Sequence, residues 1–316
     1  MISEQTTVNT NEEDLATYLN AFLHDVEGSK FPRKKCCGTS RSLYCVECSK
    51  LLIDRERWPA SIQAGHLDLP FSLDIVLHDR RLSATGFHAL VLLKASQGSN
   101  EDDDSSKSSH DVTEEESQVI IQQERVRLFD IENGDQLPSY EGEDNNTFLL
   151  FPSENSVPIS SVADQIHRLI VLDCKWTKSS CQSLPQLARI QNVHIGNPPL
   201  ESYFWRWHNA GTGMCSTLEA LYFAALETAE ASNENRHRKD FNEVNRKSLI
   251  DLMWLFGIQR NATALSAKRE GKPSPFSKDG KAMQRNLKKT EKGSEKHLRD
   301  IERGKRLMEE AKDSAS

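Results

Sequence analysis

Four of the chain's seven cysteines fall within thirteen positions, in "KCCGTSRSLYCVEC". Cys45 and Cys48 stand at x2 spacing, with Cys36 and Cys37 just upstream. Thiolates spaced this way can close on one tetrahedral metal ion when a tight turn lies between them. An odd, clustered set favours metal over disulfides in an intracellular protein. The expectation is a metal site built from Cys36, Cys37, Cys45 and Cys48. Two features count against it. A further cysteine at x2 spacing before Cys37 would complete a usual set, and Lys34 stands at that place. Cys36 is the substitute, which makes two ligands adjacent in the chain. The alternative is a reduced cluster packed as small apolar side chains.

A second constellation surrounds "RLIVLDCKW", residues 168–176. An apolar strand that ends on Asp173 places a carboxylate where α/β proteins bind ligands, in the crevice beyond the strand ends. There Asp173 can take a proton or accept ligand hydrogen bonds; capping a neighbouring helix is the competing use. Trp176 offers a stacking face for a planar base or a lid over the core. Further on, "STLEALYFAAL" starts a helix, with Ser216 as N-cap and Glu219 three residues later completing a capping box. The free N–H groups of such a start suit a carboxylate ligand. Gly211 and Gly213 before it let backbone approach closely. Arg206 can clamp a carboxylate or phosphate in bidentate fashion, or form a surface ion pair.

These groups need elements to position them. The pattern predicts a helix over 10–27 and strands at 72–78, 87–93, 125–131, 147–152, 169–173 and 202–207. It predicts helices at 159–167, 180–191, from Ser216 onward, and at about 237–257. His78 and His88 then fall at or within strands. Residues 95–123 are Ser- and acid-rich and predict a disordered insertion. Residues 258–316 predict a basic, largely disordered tail, with a lone charged helix at 294–312. Strands alternating with helices imply an α/β fold with a largely parallel sheet and flanking helices. The expected organisation is an N-terminal helix (1–30), a catalytic domain (31–257, its Cys-rich element at 31–52) and the tail.

The 316 residues carry 37% hydrophobic and 28% charged side chains, enough for a core and for much non-core chain. No run of about 18 apolar residues occurs, which argues against a membrane span. The acidic start "MISEQTTVNTNEEDL" argues against a secretory or organellar leader. The net charge of −7 conceals an asymmetry: residues 236–316 hold 21 basic and 12 acidic side chains, a net of +9. A basic tail on an acidic body suits a polyanion partner or nuclear import. The expected location is nucleus, cytoplasm or both.

Taken together the motifs resemble the DTW-domain family of tRNA-uridine aminocarboxypropyltransferases, in its eukaryotic branch with an N-terminal Cys block. "DCKW" is similar to the Asp-x-Thr-Trp motif, with Lys175 in place of threonine, and "STLEA" matches the second signature. "CCGTSRSLYCVEC", "LPFSLDIVLH", "FLLFPSENSVPIS" and "YFWRWHN" resemble further blocks in the same order, over about residues 33–230. The resemblance implies a SPOUT-like fold, a type in which knots occur. It implies S-adenosylmethionine as donor of a 3-amino-3-carboxypropyl group to N3 of a tRNA uridine, with Asp173 as base. It implies cofactor contacts from Phe151, Pro152, Ser153, Trp176, Arg206, Ser216, Thr217 and Glu219, and a structural zinc ion. A SPOUT-like methyltransferase using the same donor, and a zinc-bearing RNA-binding protein without catalysis, are the alternatives.

Overall fold

The computed structural model describes residues 10–28, 31–98, 125–140, 146–174, 184–199, 201–205, 214–232 and 241–274. Two seven-residue strands form the middle of its main sheet: β5 (Ser72–His78) and β9 (Arg168–Cys174). They pair in parallel along their whole length, from Ser72 opposite Arg168 to His78 opposite Cys174. Leu73 stands opposite Leu169 and Ile75 opposite Val171, and these four with Val76, Leu77 and Ile170 are at most 2% exposed. Strands covered on both faces read as continuous apolar runs, as these two do.

The sheet has six strands in the order β6-β5-β9-β7-β10-β8. β6 is Val126–Asp130, β7 Thr147–Leu150, β8 Val157–Pro158 and β10 Gln191–His194. Every pairing is parallel, so all six C-terminal ends lie along one edge. A short α2 (Ala60–Gln63) and the longer α4 (Thr217–Ala231) both pack on α3 (Gly86–Ser96). The other face is covered by the segment carrying Leu137 and Tyr140 and by a short 3-10 turn, Pro185–Leu187, which meet Val76, Leu149 and Ile170.

At the opposite end of the central strands the fold buries an ionic cluster. Asp74 is fully buried and accepts two hydrogen bonds from Arg127 (2.8 and 2.6 Å), one from Arg168 (2.7 Å) and one from the Tyr140 hydroxyl (2.8 Å). Four donors onto two oxygens satisfy the charge that burial would otherwise penalise. They tie β5, β6, β9 and the covering segment at one point.

Ahead of the sheet, α1 (Thr10–Gly28) docks through Leu15 and Leu19, both fully buried. The Tyr18 hydroxyl donates to Asp251 at 2.6 Å, and the Asn261 amide donates to the Leu19 carbonyl at 2.8 Å. The Cys-rich element consists of two small antiparallel ribbons. β1 (Lys34–Cys36) pairs with β2 (Thr39–Arg41), and β3 (Tyr44–Cys45) with β4 (Lys50–Leu51). The chain divides into two compact units, residues 1–202 with 210–261, and residues 203–209 with 262–316. In the second, the rings of Phe204 and Trp205 meet with centroids 4.8 Å apart.

Several sequence expectations are corrected. Residues 87–93 are not a strand but the heart of α3, and His88 lies on that helix, 1% exposed. Ten of its eleven residues are buried, and a helix buried all round reads as one apolar run. Val91 is its sole β-branched residue, which was the available signal. The region 159–167 forms two 3-10 turns, Ile159–Ser161 and Ala163–Gln165. Within 180–191, Pro185 opens a 3-10 turn and Gln191 already starts β10. A residue before proline is driven out of the helical region, and Leu184 is extended (φ −65°, ψ 124°). No strand occurs at 202–205.

The last helical region is split. Asn242 caps a short α5 (Glu243–Ser248), a 3-10 segment covers Leu249–Met253, and α6 runs from Trp254 to Arg269. The helix therefore continues past 257, with Ile258 and Asn261 buried. Outside the described residues lie the greater part of the acidic insertion, the start of the 180–191 helix, residues 206–207, the region 237–240, and everything from 275 on. Among the described residues no helix is long and apolar enough to cross a membrane.

Candidate functional site

Asp173 is the penultimate residue of β9, at the sheet edge where the strand C-termini gather, and is 6% exposed. Its Oδ2 accepts a hydrogen bond from the Gly86 amide at 2.5 Å. Gly86 opens α3, so the carboxylate sits against a helix start, where the unpaired N–H groups favour negative charge. The approach depends on the absence of a side chain. A Cβ on Gly86 would lie 2.7 Å from Asp173 Oδ2, 3.2 Å from Ile75 Cγ2 and 3.4 Å from Thr217 Cγ2. Asp173 and Thr217, more than forty residues apart in sequence, thus flank one glycine.

The start of α4 is built as its sequence requires. Ser216 accepts from the Glu219 amide at 3.4 Å, and Glu219 Oε2 accepts from the Ser216 amide at 2.8 Å. Glu219 is fully buried and its Oε2 also accepts from the Ser202 hydroxyl at 2.8 Å. Its part at the site is to hold the helix start. The next free donor, the Leu218 amide, points to Thr85 Oγ1 at 3.3 Å. Thr85 is the residue before α3. The starts of α3 and α4 therefore converge beside Asp173, joined by Thr85 and spaced by Gly86.

Phe151, Pro152 and Ser153 follow β7 and begin the connection to β8. That connection has only six residues, Phe151–Ser156, and β10 lies between the two strands it joins. The Phe151 amide donates to the Val193 carbonyl at 2.9 Å. The Asn192 amide donates to Ser153 Oγ at 2.9 Å, and Ser156 Oγ lies 2.9 Å from His194 Nδ1. Side chains of β10 thus fix the loop. Trp176 and Arg206, with Lys175, Gly211 and Gly213, lie outside the described residues.

The cysteine cluster forms as a group. Ligand atoms of Cys36, Cys37, Cys45 and Cys48 all lie within 4.8 Å of one another, so they can hold a metal ion. Cys36 Sγ is 3.3 Å from Cys48 Sγ and 3.9 Å from Cys37 Sγ. The problem of two adjacent ligands is solved by backbone conformation. Cys37 (φ 47°) and Gly38 (φ 73°) are both left-handed and reverse the chain, and Ser49 (φ 53°) does so after Cys48. Hydrogen bonding to Cys48 pushes the Cys36 thiol up. Burial raises Cys45, but backbone and thiol contacts from Cys48 and the Glu47 amide outweigh it and bring it to about 7. A cysteine receiving backbone N–H groups is prepared for the thiolate form.

Three residues of this edge escaped the sequence reading as a group: Thr85, Gly86 and His194. Thr85 and Gly86 were hidden by the misread strand at 87–93. "SATGF", a hydroxyl and a glycine before an apolar run, carries the signal for a helix start. His78 ends β5 with Nδ1 3.5 Å from Glu132 Oε1, and Arg81 pairs with Asp130 at 2.7 Å. No protein-family model, curated protein or solved structure matches this chain.

Proposed function

We propose that the protein transfers the 3-amino-3-carboxypropyl group of S-adenosylmethionine to N3 of a tRNA uridine. The observation that carries this reading is the meeting of Asp173 and Thr217 around Gly86. Two short motifs, "DCKW" and "STLEA", resemble one family's signatures, and their residues come together on the ligand-binding edge of a parallel sheet. The seating of β10 between β7 and β8, under a six-residue connection, supports a SPOUT-like arrangement and a cofactor contact for Phe151, Pro152 and Ser153.

In this reading uridine N3 attacks the donor carbon bonded to the sulfonium. The N–C bond forms as the C–S bond breaks, and methylthioadenosine leaves. The N3 proton passes to Asp173 and then to solvent, so one proton is released per transfer. Gly86 orients Asp173 through Oδ2. The donor carboxylate is held by the α4 start at Ser216 and Thr217; for Trp176 and Arg206, which lie outside the described residues, the resemblance implies further cofactor contacts. Much of the rate comes from aligning nitrogen, carbon and sulfur.

The ion we propose for the cysteine cluster is zinc. Four thiolates at Zn–S distances of about 2.3 Å stand a little under 4 Å apart; the Cys36–Cys37 and Cys36–Cys48 separations of 3.9 and 3.3 Å lie to either side of that spacing. The ion is structural, because four protein ligands leave no open position.

The test uses tRNA with donor labelled either in the carboxyl group or in the methyl group. Carboxyl label in the tRNA supports the proposal. Methyl label in its place makes the protein a methyltransferase, and tRNA binding without either label makes it a binding protein.

A further inference from the structure

The basic residues of the Cys-rich element are gathered in a way the proposed chemistry does not use. Residues 31–57 carry seven Lys and Arg against three Asp and Glu, a net of +4. The rest of residues 1–235 holds 12 basic and 32 acidic side chains. The element is a cationic island on an acidic body. A divalent ion on four thiolates would carry −2 in total and leave the island at +2.

Geometry concentrates that charge on one ribbon. In the β1–β2 pair, Lys34 stands opposite Arg41 and Lys35 opposite Ser40. Strand alternation puts Arg33 and Lys35 on one face and Lys34 with Arg41 on the other. Arg33 and Lys35 are exposed. Like charges directly opposite destabilise a ribbon. Asp54 relieves Lys34 at 2.5 Å, whereas Arg41 has no carboxylate partner among the described residues and its Nε is buried without an acceptor.

The same ion pair fastens the segment 54–58 beside the ribbon, as does the Arg57 guanidinium over the Phe31 ring at 4.2 Å. Exposed Arg55 lies 5.9 Å from the Trp58 ring centroid. Cations interleaved with aromatic faces suit a nucleic-acid strand, whose phosphates meet the former and whose bases meet the latter.

We propose that this ribbon and the segment 54–58 form a prong that docks on the phosphate backbone of RNA, with the exposed Arg33, Lys35 and Arg55 as its phosphate contacts. The inference rests on tRNA being the substrate, and adds a surface made of residues to which the proposed reaction assigns no role.

The test is binding of an unmodified tRNA transcript to the full chain across a salt series, for wild type and for R33E/K35E/R55E. Each phosphate contact contributes about 0.7–0.9 to the slope of log K against log salt. The variant should flatten the slope by about 2, bind at least tenfold more weakly, and raise KM for tRNA with kcat retained. Unchanged metal content and melting temperature show that the fold is intact. If the triple variant does not fold, K35Q/R55Q replaces it, with a slope change of about 1 to 2 expected. Wild-type binding with an unchanged slope in the variant overturns the prong. Equal wild-type affinity for polyglutamate overturns RNA as its partner. Failure of wild type to bind the transcript at low salt overturns the tRNA reading itself.

Discussion

The Gly86 amide donates to Asp173 Oδ2 at 2.5 Å, and a side chain on residue 86 would begin 2.7 Å from that same oxygen. A real Cβ essentially never sits that close, so Gly86→Ala must push Asp173, or α3 with it, out of place. The neighbours are a carboxylate on a buried strand, Ile75 and Thr217, none of which is a free flexible end. The variant should lose about 1–3 kcal/mol of stability, the usual cost of overpacking. Transfer activity should fall further than stability alone explains. Wild-type activity in a folded Gly86→Ala protein would separate the Asp173 geometry from the reaction.

Asp173→Asn should leave the fold intact, because the amide oxygen can still accept the Gly86 N–H. Activity should fall by two or more orders of magnitude, the scale of a lost general base. Donor binding, read by calorimetry, should persist. Near-normal turnover removes Asp173 from the base role and leaves it as the cap of α3.

Protein purified without chelator should contain about one zinc per chain, bound through Cys36, Cys37, Cys45 and Cys48. Strong chelation should unfold the two ribbons first, because they contain only two or three residues per strand. Elemental analysis and hydrogen exchange over residues 31–52 check this. Absence of metal would reduce the cluster to a packing feature.

His88 predicts a pH dependence of stability. Burial holds it neutral and brings its pKa from 6.5 down to about 4, against a smaller opposing hydrogen bond with Gln259. Above pH 6.5 neither folded nor unfolded His88 carries a proton, so it adds no dependence there. Between pH 6.5 and 4 the unfolded chain takes up the proton and the folded one does not, so stability falls as pH falls. The full shift corresponds to about 3 kcal/mol. Denaturant titrations at pH 7 and pH 4.5 should show a loss that His88→Gln diminishes. The same loss in the variant would assign the effect to other groups.

β5, β9 and the start of α4 were legible in the residues alone. "SLDIVLH" and "RLIVLDC" are short apolar runs that each carry adjacent Ile and Val, the composition of a strand covered on both sides. Ser216 and Glu219 satisfy each other's backbone within one helical turn, so no distant residue is needed to define that start. The cysteine cluster was legible for a similar reason, since its ligands lie within thirteen positions. Tertiary structure decided α3, because an element buried on all sides loses the periodicity that reveals a helix. It decided the partner of Asp173 as well. The Gly86 amide is a main-chain group 87 residues away, and no side-chain pattern can announce where an amide will point. The order of the strands, with β10 between β7 and β8, is likewise a matter of packing: parallel strands pair through backbone groups common to every sequence, and the choice of neighbour falls to the layers covering the sheet.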